Sequence, residues 1–210
     1  MNKENAKDLL FELKDILEAC NVEFFLNYGT CLSAYRGAFC DGDLDIDLGV
    51  KHEVIVPKMK ILKETFTAHK FAMKIHSSPF IYERGMKVAN RYRINVDIID
   101  YAINKNDRFH NHYIYNHAAV HEASLFENLK TINFLGKDFL VPNPVEKFLE
   151  SIYGEDWRIP VPVFTEYVHY VQDYWRTTSY YKVTEMFRER KKAAWKAYKI
   201  GTANLMEAIK

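Results

Sequence analysis

Three aspartates at alternate positions, Asp43, Asp45 and Asp47, are interleaved with Leu44, Ile46 and Leu48. This alternation of acids with branched aliphatics predicts a strand with one polar and one buried face, closed by Gly49. Side chains two apart on a strand point the same way, so the three carboxylates would share a face at steps of about 6.5–7 Å. The flanks offer no nearby alternating Lys or Arg to pair them, and a divalent cation with oxygen ligands is the economical compensation. The bland alternative is a solvated face whose acids keep a sheet edge soluble. An EF-hand-like calcium loop fails: counted from Asp43, its sixth position needs Gly and holds Leu48, and its twelfth needs Glu and holds Val54.

A second chemical feature lies upstream. Residues Val22 to Tyr28 are rich in strand formers, Gly29 breaks the run, and Thr30 can cap a short helix from Cys31 to Arg36. A strand that ends in Gly-Thr and opens a helix presents backbone N–H groups and the positive end of a helix dipole, which bind phosphate without side-chain charge. Arg36 can add a charge-assisted contact. Beside an acidic strand, such a turn describes a pocket that holds a phosphate chain through metal and amides at once.

A third carboxylate comes from the segment Arg91 to Ile99, where Ile94, Val96 and Ile98 alternate with Arg93, Asn95 and Asp97. If this strand neighbours the first, Asp97 joins Asp45 and Asp47, enough for metal ions in an in-line phosphoryl displacement. Arg93, on the same face, is a further candidate to contact a bound nucleotide. Asp100 is the rival acid, read as a turn residue at the strand end.

These residues need a scaffold. Leu9, Leu13, Ile16 and Cys20 form the stripe of an amphipathic helix over Ala6 to Cys20, stopped by Asn21. Pro57 to His69 reads as a helix, and strand-like runs follow at Phe71 to Ile75 and Phe80 to Tyr82. A hairpin pair, Lys130 to Phe134 and Asp138 to Val141, turns at Gly136. From Pro144 a helical stripe runs through Val145, Phe148, Leu149 and Ile152 to Gly154. Phe164 to Ile209 is helical in pattern. The expectation is an α/β (α+β) chain: a mixed sheet flanked by helices over residues 1–160, with a helical C-terminal extension, 161–210, packed on it.

Composition narrows the classes. The 210 residues carry 29 Lys+Arg against 28 Asp+Glu, which gives no global field for nucleic acid. Apolar residues are 48% and charged residues 27%, with 8 Gly and 6 Pro, a globular rather than disordered composition. No apolar run is long enough to span a bilayer, and the first residues lack a signal-peptide core, so a cytoplasmic protein is expected. Cys20, Cys31 and Cys40 suit neither a disulfide framework nor a CxxC zinc site.

Three weaker signals remain. His110, His112, His117 and His121 fall within twelve residues, and His117 with His121 could share a helix face as metal ligands; a polar surface or substrate-side loop is the alternative. Tyr167, Tyr170, Tyr174, Trp175 and Tyr181 could stack a base or sugar, although core packing suits them as well. From Lys182 to Ile200, seven Lys or Arg stand against Glu185 and Glu189, a run that could rest on an anionic membrane or form a solvated helix face.

Gly29-Thr30, then Asp45-Ile46-Asp47, then Asp97 resembles the nucleotidyltransferase superfamily pattern. Two stretches narrow it: Asn27 to Arg36 through Asp45 to Gly49, and Val141-Pro-Asn-Pro144 to Tyr153-Gly-Glu-Asp-Trp157, resemble the LicD family, which includes fukutin-related phosphotransferases. That family commonly has a Trp and a run of acids before its Asp-Ile-Asp, where this chain has Cys40-Asp-Gly-Asp-Leu44. The resemblance implies a nucleotidyltransferase fold and transfer of a substituted phosphate from a CDP-activated donor, such as CDP-choline or CDP-ribitol, to a glycan or glycolipid hydroxyl. It also implies Mg²⁺ or Mn²⁺ on Asp45 and Asp47, with Asp97 as a further ligand or as proton acceptor, and Gly29, Thr30 and Arg36 toward the donor phosphates. Transfer of a nucleoside monophosphate from an NTP to a small hydroxyl compound, and a non-catalytic metal- or nucleotide-binding module, are the alternatives.

Overall fold

The Asn2 side chain accepts the Asn5 N–H and caps α1 (Lys3–Ala19), whose buried stripe is Leu9, Leu10, Leu13, Ile16 and Leu17. Asn21 ends the helix in a left-handed conformation, φ 54°. A computed structural model of the chain describes residues 1–78, 83–103, 113–115, 120–160 and 207. The next strand, β1 (Phe24–Leu26), is shorter than the expected Val22–Tyr28, because α2 (Tyr28–Arg36) starts three residues before Cys31. Asn27 is its extended N-cap, and Gly37 closes it at φ 81°.

After β2 (Asp45–Lys51) come the short α3 (His52–Ile55), a 3₁₀ turn at Val56–Lys58 and α4 (Met59–Ala68). Then β3 (Ala72–Ser78), β4 (Glu83–Ala89) and β5 (Asn95–Ile103) follow, continued by β6 (Tyr113–Tyr115) and β7 (Val120–Glu122). The chain closes with α5 (Ser124–Glu127), the hairpin β8 (Lys130–Phe134) and β9 (Lys137–Val141), and α6 (Val145–Tyr153). The hairpin turns through Leu135 and Gly136, both at positive φ as a two-residue type I′ turn requires.

The main sheet runs β1-β2-β5-β4-β3, mixed as expected: β2 and β5 are parallel, and the other neighbours antiparallel. β6 pairs with the end of β5, and β7 with β6. The parallel pair needs a crossover, supplied by α3, α4 and the β3–β4 hairpin. One face of the central pair carries Ile46, Leu48, Val50, Val96 and Ile98, buried in one core with the stripes of α1 and α4. The other face is divided: acids at the start of the two strands, aromatics farther along. Phe25 packs there over Gly49, where a Cβ would lie 2.2 Å from the ring. Phe25, Tyr101, Phe126 and Phe148 continue this aromatic cluster, with centroids 5.1–5.8 Å apart.

Three expectations are corrected. Arg91 to Ile94 is a turn, not strand, and Arg93 sits in it at φ 58°. Asp100 is no turn residue: it lies inside β5, buried on the opposite face from Asp97, and pairs with His52 Nδ1 at 2.8 Å. His121 lies on strand β7 rather than on a helix. His110, His112 and His117 fall outside the described residues, as do the tyrosine series, the basic run and nearly all of the C-terminal extension. No described helix is long and apolar enough to cross a membrane.

Candidate active site

Parallel pairing places Asp45 beside Asn95 and Asp47 beside Asp97, so register alone puts three acids on one face. One carboxylate oxygen from each of Asp45, Asp47 and Asp97 lies within 4.8 Å of the others, and all three residues are half-buried. This is the group among the described residues that could hold a metal ion. The flanks of the acidic strand hold no pairing cation, as the sequence indicates, but a distant strand supplies one. In β4, Lys87 is the register partner of Asp97, and its Nζ lies 3.1 Å from Asp97 Oδ1. Local alternation around Asp43 to Leu48 could not reveal this partner, which arrives through a hairpin. Pairing Glu83–Ala89 against Asn95–Ile103 would have found it.

The start of α2 is bolted onto β2 at the central acid. The Asn27 N–H donates to the Asp47 carbonyl at 3.0 Å, and the Asp47 N–H donates to Thr30 Oγ1 at 2.9 Å. Thr30 is fully buried inside α2, so its hydroxyl holds the acidic strand rather than capping a helix from Cys31. The Gly29 N–H favours the charged form of the Asp47 carboxylate. The Tyr101 hydroxyl, buried in the aromatic cluster, donates to Asn27 Oδ1 at 3.0 Å and supports the cap from behind.

Asp43 precedes β2, yet its carboxyl returns to the cluster. A Cβ on Gly29 would stand 3.0 Å from Asp43 Oδ2, an oxygen that is buried with no hydrogen-bond partner among the described residues. Burial first, then repulsion by Asp45, pushes the Asp43 carboxyl up to about 7. Burial likewise raises Asp45, with a hydrogen bond from Asp43 opposing it. Asp47 is held well above the usual carboxylate range by burial and by its neighbours Asp45, Asp97 and Asp43, partly offset by the Gly29 N–H. Four carboxyls thus crowd one site, opposed among the described residues by Lys87 and, at Asp43, by the Met1 ammonium, a donor set suited to a hard divalent ion.

The two candidate arginines have other placements. Arg36 Nη2 donates to the Trp157 carbonyl at 3.0 Å, and Tyr35 packs edge-on against the Trp157 ring at 4.9 Å, so this end of α2 anchors the segment after α6. Arg93 is exposed in its turn before β5. His121 is buried among Tyr101, Phe126 and Phe148, with Nδ1 3.2 Å from Ser151 Oγ, and burial lowers it to about 4. It is a neutral core histidine.

The sequence matches the model of the family described as LicD/FKTN/FKRP, nucleotidyltransferase domain, over residues 21–144, more than half of the chain. No curated protein sequence matches it. Among solved structures, the fold is similar to that of ANT(2")-Ia in complex with adenylyl-2"-tobramycin, with a TM-score of 0.50 and 13% identity, covering 91% of this chain and 95% of that one. The lincosamide antibiotic adenylyltransferase LnuA, in a lincomycin-bound crystal structure, aligns at a TM-score of 0.48 and 12% identity, over 78% of this chain and 92% of that one. The matched span begins before Gly29 and takes in Asp45, Asp47 and Asp97, the residues the sheet register brings together. The chain belongs to the LicD/FKTN/FKRP family of nucleotidyltransferase domains.

Proposed function

We propose that the protein is a metal-dependent transferase that moves a substituted phosphate, of the phosphocholine or polyol-phosphate kind, from a CDP-activated donor to a glycan or glycolipid hydroxyl. The observation that carries this reading is the meeting of Asp45, Asp47 and Asp97 within 4.8 Å beside the first turn of α2. Family membership supports it. Asp45 and Asp47 would hold Mg²⁺ or Mn²⁺, with Asp97 completing the carboxylate set. Such an ion supplies positive charge to phosphate oxygens and to a departing nucleoside monophosphate.

The remaining work falls to the chain's own groups. The first-turn amides of α2 would offer donors to phosphate oxygens. Asp97 takes the proton of the acceptor hydroxyl. The hydroxyl oxygen forms the new bond to phosphorus, the bond from that phosphorus to the CMP oxygen breaks, and CMP leaves with the electron pair. The Thr30 clamp keeps Asp47 in place throughout, so orientation is built into the fold.

Released product tests this. Incubation with CDP-choline or CDP-ribitol, Mg²⁺ and a glycan acceptor should yield CMP, and chelation should abolish it. Pyrophosphate released from an NTP with a small hydroxyl compound, and no CMP, would assign nucleotidyl transfer instead. Neither product with any donor would leave a binding module.

A further inference from the structure

A row of four side chains crosses the acid-bearing face of the sheet. The register pairs Asp47 with Asp97, Asp97 with Lys87, and Lys87 with Lys74. Directly paired residues on neighbouring strands point to the same face, at about 4.8 Å per strand. The sign of charge therefore changes once along the row, from two carboxylates to two ammonium groups. Lys87 Nζ contacts both oxygens of Asp97, at 3.1 and 3.3 Å, with 52% of its side chain exposed. Lys74 is exposed one strand farther out, and no described carboxylate pairs with it.

Two ammonium groups in directly opposed positions repel each other, and an anion bridging them would relieve that repulsion. A divalent ion on the carboxylates would add a third positive centre beside Lys87. Both would then face the same Asp97, and a phosphoryl group is the ligand whose oxygens satisfy ion and lysine together. We propose that Lys87 and Lys74 form an anion subsite that receives a phosphoryl group lying next to the acid cluster, Lys87 at the inner contact and Lys74 at the outer. The assignment rests on the reading of Asp45, Asp47 and Asp97 as a metal-bound phosphate site, and it adds an arm on β3 and β4. The phosphoryl group belongs either to the donor's diphosphate or to a phosphorylated acceptor.

The test uses the full chain with Mg²⁺ and three probes: tripolyphosphate, CDP and, added over saturating CDP, ribose 5-phosphate. K87Q should weaken tripolyphosphate about tenfold, the loss of one charge-assisted contact, and K74Q by a smaller factor, while K60Q, at an exposed position of α4, should bind as wild type. K87R should recover most of the loss. Mn²⁺ alone should bind K87Q as tightly as wild type or tighter, because a competing cation has been removed. That opposite sign separates a ligand contact from general damage to the site. Weakening confined to CDP places the subsite on the donor, and weakening confined to ribose 5-phosphate places it on the acceptor. Wild-type affinity of K87Q and K74Q for all three probes overturns the proposal, and so does a wild-type protein that binds none of them. Tripolyphosphate carries no nucleoside, so its lysine-dependent binding without CMP release would sink the transfer reaction and leave the subsite standing.

Discussion

Thr30 Oγ1 accepts the backbone N–H of Asp47 at 2.9 Å, which makes a residue of α2 the support of the central acid on β2. Thr30→Val keeps the shape and leaves that buried N–H without a partner, a loss of about 1–3 kcal/mol. Urea unfolding should register the destabilisation, and transfer activity should fall by more than the folded fraction does, because Asp47 loses its register. Thr30→Ser should retain most of both. Equal activity per folded molecule in Thr30→Val would show that the clamp serves stability alone.

The acid cluster has a signed pH dependence. Asp43 and Asp47 bind protons more tightly folded than unfolded, since burial and mutual repulsion raise them. The folded state then holds more protons above the ordinary carboxylate value, so metal-free stability falls as pH rises from about 4 toward 7. Asp47→Asn keeps an oxygen for the Gly29 N–H and removes one charge. It should raise metal-free Tm at neutral pH and flatten this slope, while lowering turnover by roughly a thousandfold or more. Thermal melts across pH, with and without Mg²⁺, measure the first effect. A lower Tm for Asp47→Asn would contradict the electrostatic account.

His121 works in the opposite direction. Burial lowers it to about 4 from an ordinary 6.5, so the unfolded chain binds its proton first as pH falls. Its contribution is complete above about 6.5 and is lost as pH drops toward 4, on the order of 3 kcal/mol in all. His121→Phe removes that dependence and leaves a ring among Tyr101, Phe126 and Phe148. The stability difference between wild type and this variant should therefore shift in the variant's favour between pH 7 and pH 4. A difference independent of pH would show that the histidine titrates normally.

Gly49 faces the Phe25 ring where a side chain has no room. Gly49→Ala should destabilise by about 1–3 kcal/mol through overpacking, and Phe25→Leu should relieve part of that cost in the double variant. Chemical denaturation of the four proteins gives the coupling. Additive losses would mean that the ring moves aside freely.

Much of this arrangement was legible in the sequence where the signal is local. The Asn21 stop of α1, the hairpin at Gly136 and α6 between Pro144 and Gly154 follow from residues within a few positions of each event. Asp45, Asp47 and Asp97 could be named because period-2 alternation assigns faces, and their meeting needed only one parallel pairing. What stayed hidden depends on partners distant in the chain. Lys87 pairs with Asp97 through the β4–β5 register, Asp100 is buried by His52 from α3, and Arg36 is drawn away to the Trp157 carbonyl. Asp43 stands before its strand rather than on it, yet reaches the cluster through the turn against Gly29. The misplaced start of β5 has a backbone cause, the left-handed residue Arg93 within an otherwise alternating run.

Asp45, Asp47 and Asp97 are proposed to hold a divalent ion together for phosphoryl transfer. Crystals grown with Mn²⁺ and CDP, with anomalous data collected at the manganese edge, test it most directly. A peak is expected within coordination distance of oxygens from all three aspartates, touching the CDP phosphates. Manganese bound elsewhere, or CDP bound with the three carboxylates empty of metal, would contradict it.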